Sequence, residues 1–202
     1  MRKLALLVGL VVSSAAFAAT PPAGVPLEVR RGFFTETGLG GALTVGGGNG
    51  YSNFQLYLQL GAGYQLTINE GKGLIPIGVH VGLGSNAQNC WGDINSNGTC
   101  AQADNFTMTF INASAGYLHR LGTDAFTSRL YAGGKLLGGV SLLDPTPIAN
   151  GGLLYPNLGA ALALEWATMV DHFSIGLDAG YRLIIGPNIN ALVFALRVQY
   201  TF

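Results

Sequence analysis

Few residues here have chemistry to offer: three His, two Cys, ten Lys+Arg and ten Asp+Glu in 202 residues. Cys90 and Cys100 are the only cysteines, and in an oxidising compartment a disulfide between them is the default. Redox catalysis would want a C-x-x-C pair, which is missing. Between the cysteines runs Asp93-Ile94-Asn95-Ser96-Asn97-Gly98-Thr99, followed by Asp104. This is the D-x-[DN]-x-[DN]-G spacing, in which alternate oxygens face one ion and the glycine permits a sharp turn. Asp93, Asn95, Asn97, the Thr99 carbonyl and Asp104 would supply the oxygens of a weak calcium site that orders the loop. Only two of these are carboxylates, the last is Asp where a bidentate Glu is usual, and no helices flank the segment. The same residues suit a polar turn held by the disulfide, and both readings stay open. His80, His119 and His172 have no metal-ligand spacing. No Ser or Asp stands beside any of them in a recognisable motif, so nucleophilic catalysis lacks its parts. The chain is not expected to be an enzyme, and calcium is the one cofactor the pattern suggests.

The remaining charges gain meaning from the elements that carry them. From Phe54 to Ile68 the even positions are Phe, Leu, Leu, Leu, Ala, Tyr, Leu and Ile, while Gln, Tyr and Gly dominate between them. A period of two puts each set on one face of a strand. Its length exceeds the ~5–6 residues usual in globular strands and suits a tilted membrane-spanning strand of ~9–11 or more. The pattern recurs over Phe33–Val45, Leu74–Gly84, Phe106–Leu118, Arg129–Leu142, Leu158–Trp166, Phe173–Ile185 and Leu192–Phe202. In Phe106–Leu118 the phase slips near Phe110, as a β-bulge would cause. The inward positions collect Glu36, His80, Arg129, Lys135, Glu165, Asp178, Arg182 and Arg197.

Apolar residues make up 49% of the chain and charged ones 10%, with a formal net charge of +0. A soluble domain usually carries about a quarter charged residues, and a neutral chain has no basic field for nucleic acid. Residues 1–18 read as a signal peptide: Arg2 and Lys3, an apolar run from Leu4 to Val12, then Ala16-Phe17-Ala18. Residues 19–31 form an extended periplasmic tail, and 32–202 the barrel. No later apolar run is long enough for a transmembrane helix. The expected fold is therefore all-β, an eight-stranded antiparallel transmembrane β-barrel with a cleavable N-terminal signal peptide. It would sit in the bacterial outer membrane with both termini periplasmic. Connections 46–53, 85–105, 143–154 and 186–190 would face outward, and 69–73, 119–126 and 168–172 inward. Phe33, Tyr64, Tyr117, Trp166, Phe173 and Tyr200 would then form a periplasmic aromatic girdle.

The carboxyl end, Leu196-Arg197-Val198-Gln199-Tyr200-Thr201-Phe202, resembles the terminal strand that outer-membrane proteins present to their insertion machinery, with Tyr200 and Phe202 as its signal. With eight strands, the chain resembles the small barrels of the OmpA-membrane-domain, OmpX and OmpW kind. Gly32-Phe33-Phe34-Thr35-Glu36-Thr37-Gly38-Leu39-Gly40-Gly41 and the Cys90-Trp91 loop are similar to myxobacterial barrels, among them the adventurous-gliding-motility proteins of the contact-stimulable gliding E type. That resemblance implies a non-enzymatic envelope component, with outer-membrane lipid, the insertion machinery and other envelope or motility proteins as partners.

An eight-stranded barrel has an interior only wide enough for side chains, so its charges must pair. The mixed signs favour a salt-bridge plug over a selective pore. The expected function is a structural or adhesive surface component; the alternative is a narrow channel for small solutes or ions.

Overall fold

The computed structural model describes residues 31–46, 53–90, 103–123, 127–144, 152–170, 172–187 and 189–202. Eight strands run in chain order: β1 (Gly32–Gly46), β2 (Asn53–Ile68), β3 (Gly73–Cys90), β4 (Ala103–Arg120), β5 (Leu130–Asp144), β6 (Leu154–Ala167), β7 (Phe173–Ile184) and β8 (Ile189–Thr201). Each pairs antiparallel with the next, and β8 returns to β1, from Phe34↔Thr201 to Gly46↔Ile189. The barrel is closed. No strand edge is left open, which is what a sheet in hydrocarbon requires.

Alternation drives this fold inside out. Leu162 on the outer face is 74% exposed, whereas Arg197 on the inner face is 1% exposed. Outward rows such as Phe54, Leu56, Leu58 and Leu60 on β2, or Leu192, Phe194, Leu196 and Val198 on β8, make an apolar band. At the end carrying the tight connections 69–72 and 168–172, aromatic rings pair: Phe33 with Tyr64 at 5.1 Å, Phe173 with Tyr200 and Tyr200 with Phe202 at 4.9 Å. Gly32 and Phe202 lie at that same end, where the Phe202 N–H donates to the Phe33 carbonyl at 2.7 Å. Even strand number and closure put both ends of the barrel on one side.

Three differences from the pattern-based expectation matter here. β3 and β4 extend to Cys90↔Ala103, with a register shift between Asn86 and Asn89, so the connection expected at 85–105 shrinks to 91–102. The extension carries Ser85, Asn86, Gln88 and Asn89, whose types lack the apolar alternation by which the strands were expected to be recognised. β6 starts at Leu154 rather than Leu158. Pro156 lies within it, its carbonyl accepting from Ile185 N–H at 2.9 Å just where β7 gives way to a turn, so the missing proline donor falls where the ladder ends.

The third concerns β4, where no slip occurs at Phe110. Residues 107–120 pair in unbroken register with β5, and Met108, Phe110, Asn112, Ser114 and Leu118 are all buried. Apolar side chains point inward at both ends of this strand, which mimics a change of phase. They belong to two luminal clusters. One, toward the long connections, includes Tyr57, Met108, Phe110, Leu143, Tyr155, Ile184 and Ile189. The other, at the tight-turn end, consists of Leu74, Leu118, Tyr131, Ala163 and Ala167.

Candidate functional site

Between the two apolar stoppers lies a polar layer centred on Arg197. Its Nη1 is 3.2 Å from Glu36 Oε2 and its Nη2 is 3.1 Å from Glu165 Oε2. Its Nε is 3.3 Å from Asp178 Oδ2, an attraction outside hydrogen-bond alignment. Asp178 also takes Lys135 Nζ at 2.9 Å. Glu36 Oε1 accepts from Gln59 Nε2 and meets His80 Nδ1, each at 2.9 Å. Small residues make the room: a Cβ on Gly61 would lie 2.8 Å from Glu36 Cγ, and one on Gly176 would lie 2.7 Å from Arg197 Nη2.

Arg182 is handled differently. In no ion pair among the described residues, its guanidinium lies 4.4 Å from the Phe110 ring centroid and 5.6 Å from that of Tyr57. Its Nη2 donates to the Tyr57 hydroxyl at 3.1 Å, and Tyr57 donates on to Gln59 Oε1 at 3.2 Å. With its oxygen turned toward Arg182, the Asn112 amide accepts from Nη1 at 3.0 Å. Arg182 thus links the ionic layer to the larger stopper through a cation–π contact.

Seven of the eight charged residues expected in the lumen converge there: Glu36, His80, Lys135, Glu165, Asp178, Arg182 and Arg197. Arg129 does not. It closes a short 3-10 turn, Thr127–Arg129, ahead of β5, and its Nη1 donates to the Thr168 carbonyl at 2.9 Å. β5 begins at Leu130, so the strand alternation does not reach Arg129, which ties two turns together at the tight-turn end.

The structure also supplies partners that the charges alone did not name. Gln59, Ser114, Tyr57 and Asn112 complete the layer. The Asn157 amide donates to Ser141 Oγ at 2.8 Å, and Gln199 donates to Gln65 Oε1 at 3.0 Å. No local motif marks it, but a serine and an acid meet one histidine in space. His80 Nε2 lies 2.6 Å from Ser114 Oγ while Nδ1 faces Glu36. That is the connectivity of an acid–His–Ser nucleophile, assembled from β1, β3 and β4. The cavity beside it, lined by Gln59, His80, Ser114, Lys135, Asp178 and Arg182 among others, holds about 20 Å³. This is room for about one water and none for an acyl substrate. A concavity of about 1030 Å³ lies chiefly among outer-face residues such as Leu43, Ala160, Leu162, Ala179 and Phe194, with Lys135 also in its lining.

No three His, Cys, Asp or Glu side chains among the described residues gather into a metal-holding group. Cys100 and the loop oxygens of Asp93, Asn95, Asn97 and Thr99 lie outside the described residues. Of their neighbours, Cys90 is the last residue of β3 and Asp104 sits on β4 opposite Asn89. Tyr200 and Phe202, expected to form an insertion signal, lie where the barrel closes: Tyr200 pairs with Phe173 and Thr35, and the Phe202 N–H donates to Phe33 on β1.

The barrel is similar to that of a neisserial surface protein. The likeness to the crystal structure of Neisserial surface protein A (NspA) has a TM-score of 0.57 at 14% identity, covering 84% of this chain and 97% of that one. Ail, the attachment invasion locus protein of Yersinia pestis, matches at a TM-score of 0.48 and 15% identity, covering 85% of this chain and 99% of that one. At 14% identity the likeness to NspA shows the fold alone: a closed, eight-stranded antiparallel barrel. No family model matches the chain, and no curated protein matches it.

Proposed function

We propose that the chain is a non-enzymatic component of the bacterial outer membrane with a structural or adhesive role, working through the surfaces at its two ends rather than through its lumen. The observation that carries this is the three-layer interior. Lys135, Arg182 and Arg197 balance Glu36, Glu165 and Asp178, and apolar clusters close the layer on both sides. A path for ions needs a continuous wet surface, and here each stopper interrupts it. The apolar outer band supports a lipid surround.

In this reading residues 1–18 direct export, the tight-turn end with both termini faces the periplasm, and the long connections form the outer contact surface. Cys90 and Cys100 staple the 91–102 connection, and Asp93, Asn95, Asn97, Thr99 and Asp104 order it around calcium. Assembly with gliding-motility proteins is the finer form of the proposal. It rests on the Gly32–Gly41 and Cys90-Trp91 resemblance alone, since nothing in the comparisons points to motility. The test is a tagged pull-down from native outer membranes in mild detergent, with calcium and with chelator. Co-purification of the same envelope proteins in repeated trials supports the reading, and its loss with chelator points to the Asp93 loop. Recovery of the barrel alone under both conditions contradicts it.

A further inference from the structure

Another concavity of the outer face, about 640 Å³, lies over β1 to β4 toward the tight-turn end. Sites for small molecules usually hold about 300–1,000 Å³. The register builds this one in two rows. Thr35, Ala62, Val79 and Ala113 stand opposite one another in the first, and Phe33, Tyr64 and Ile77 in the row nearer the turns. The short side chains of Ala62 and Ala113 leave a low floor. Around it Phe33, Val79 and Phe202 stand up from the sheet, 69%, 63% and 62% exposed.

Two features set it apart from a bare apolar face. The first is a group of three rings, Phe33, Tyr64 and Phe202, all in its lining at the level of the aromatic girdle. Neighbours fix their places. Phe33 meets Tyr64 edge to face at 5.1 Å, Phe202 meets Tyr200 the same way at 4.9 Å, and the Phe202 N–H donates to the Phe33 carbonyl at 2.7 Å. The second is Thr35, which puts an exposed hydroxyl on the outer face. It lies two residues from Phe33 on β1, about 7 Å along the strand and away from the turns.

Charge decides which headgroup suits such a place. None of the described residues lining the concavity is Lys, Arg, Asp or Glu. An anionic headgroup would meet no counter-charge in it, whereas the negative faces of aromatic rings attract an ammonium. The order of groups with depth also matches a glycerophospholipid. Rings stand at the interface, where a headgroup lies. One row deeper, the Thr35 hydroxyl can donate to an ester carbonyl, and the floor of Ala62 and Ala113 lets an acyl chain lie close to the sheet beside Val79.

We propose that this concavity seats one phospholipid with an ammonium-bearing headgroup, its cation against Phe33, Tyr64 and Phe202 and its ester against Thr35. This rests on the membrane reading above and adds to it a preference for one lipid chemistry.

The test uses the folded barrel in detergent micelles doped with phosphatidylethanolamine or with phosphatidylglycerol of the same chains, and native mass spectrometry counts the lipid retained. Wild type is expected to retain one phosphatidylethanolamine and to hold phosphatidylglycerol about tenfold more weakly. Phe33→Leu/Tyr64→Leu should lower phosphatidylethanolamine retention about tenfold and so abolish the preference. Thr35→Val should weaken both lipids about fivefold, because both carry the ester. Thr37→Val, one row farther from the rings and outside the lining, should weaken neither. Folding of each variant is read separately from heat-dependent electrophoretic migration; should the double variant not fold, Phe33→Leu and Thr35→Val alone decide. Equal retention of the two lipids by wild type would overturn the ammonium assignment. Equal phosphatidylethanolamine retention by folded wild type and folded variants would overturn the site. Two copies of the chain without lipid would overturn it in favour of a contact between copies. A chain that never folds in micelles or bilayers would instead overturn the membrane reading.

Discussion

Replacing Arg197 by methionine probes the ionic layer at its centre, removing the charge while keeping an unbranched side chain. Three carboxylates lose a partner, but not equally. Asp178 keeps Lys135 at 2.9 Å, and Glu36 keeps Gln59 and His80 at 2.9 Å each. Glu165 is left with nothing: Arg197 is its sole side-chain partner among the described residues, and its Oε1 has none to begin with. Glu165 is 1% exposed, so water does not replace the lost charge. Breaking a buried pair in this way costs about 3–5 kcal/mol, because one charge stays buried alone. The double variant Arg197→Met/Glu165→Gln removes that stranded charge and should recover about 2 kcal/mol or more, a coupling between neighbours rather than an additive loss. Urea titration of the barrel folded in lipid vesicles, followed by tryptophan fluorescence and heat-dependent electrophoretic migration, measures both. An Arg197→Met variant within about 1 kcal/mol of wild type, or a double variant no more stable than the single one, would refute the reasoning.

Arg129→Ala should lose no more than about 1 kcal/mol in the same titration, since it gives up one hydrogen bond at a turn rather than a buried charge. Gly61→Ala should cost about 1–3 kcal/mol, because its Cβ would press on Glu36 and His80 in a filled interior. Phe110→Ala should cost about 3–5 kcal/mol as a fully buried aromatic. It should still pass no current, because the ionic layer remains beneath it. Intact-mass analysis after alkylation should show both Cys90 and Cys100 modified only once the protein has been reduced.

How far the residue pattern reaches depends on what each strand faces. β2 and β8 alternate cleanly because their outer positions lie in the apolar band and their inner positions are mostly polar or small, so face and register follow from type. β4 defeats the same logic at Met108 and Phe110, because an inward stopper residue is apolar for a reason other than lipid. The rise of β3 and β4 beyond Ser85 is silent for the opposite reason: past the band, polar residues suit either face. The inward placement of Glu36, Lys135, Glu165, Asp178, Arg182 and Arg197 could be read from parity alone. Their grouping around one arginine could not, since Glu36, Glu165, Asp178 and Arg197 come from four strands and meet only through the shared register. The contact of His80 with Ser114 depends likewise on the pairing of β3 with β4, which no local motif encodes.

The central claim is that the lumen is closed by a neutral ionic layer between two apolar stoppers. Planar-bilayer recording of the folded barrel in concentrated KCl tests it most directly. The account predicts a flat baseline for wild type at either polarity. A steady, reproducible single-channel conductance would contradict it and restore the narrow-channel alternative.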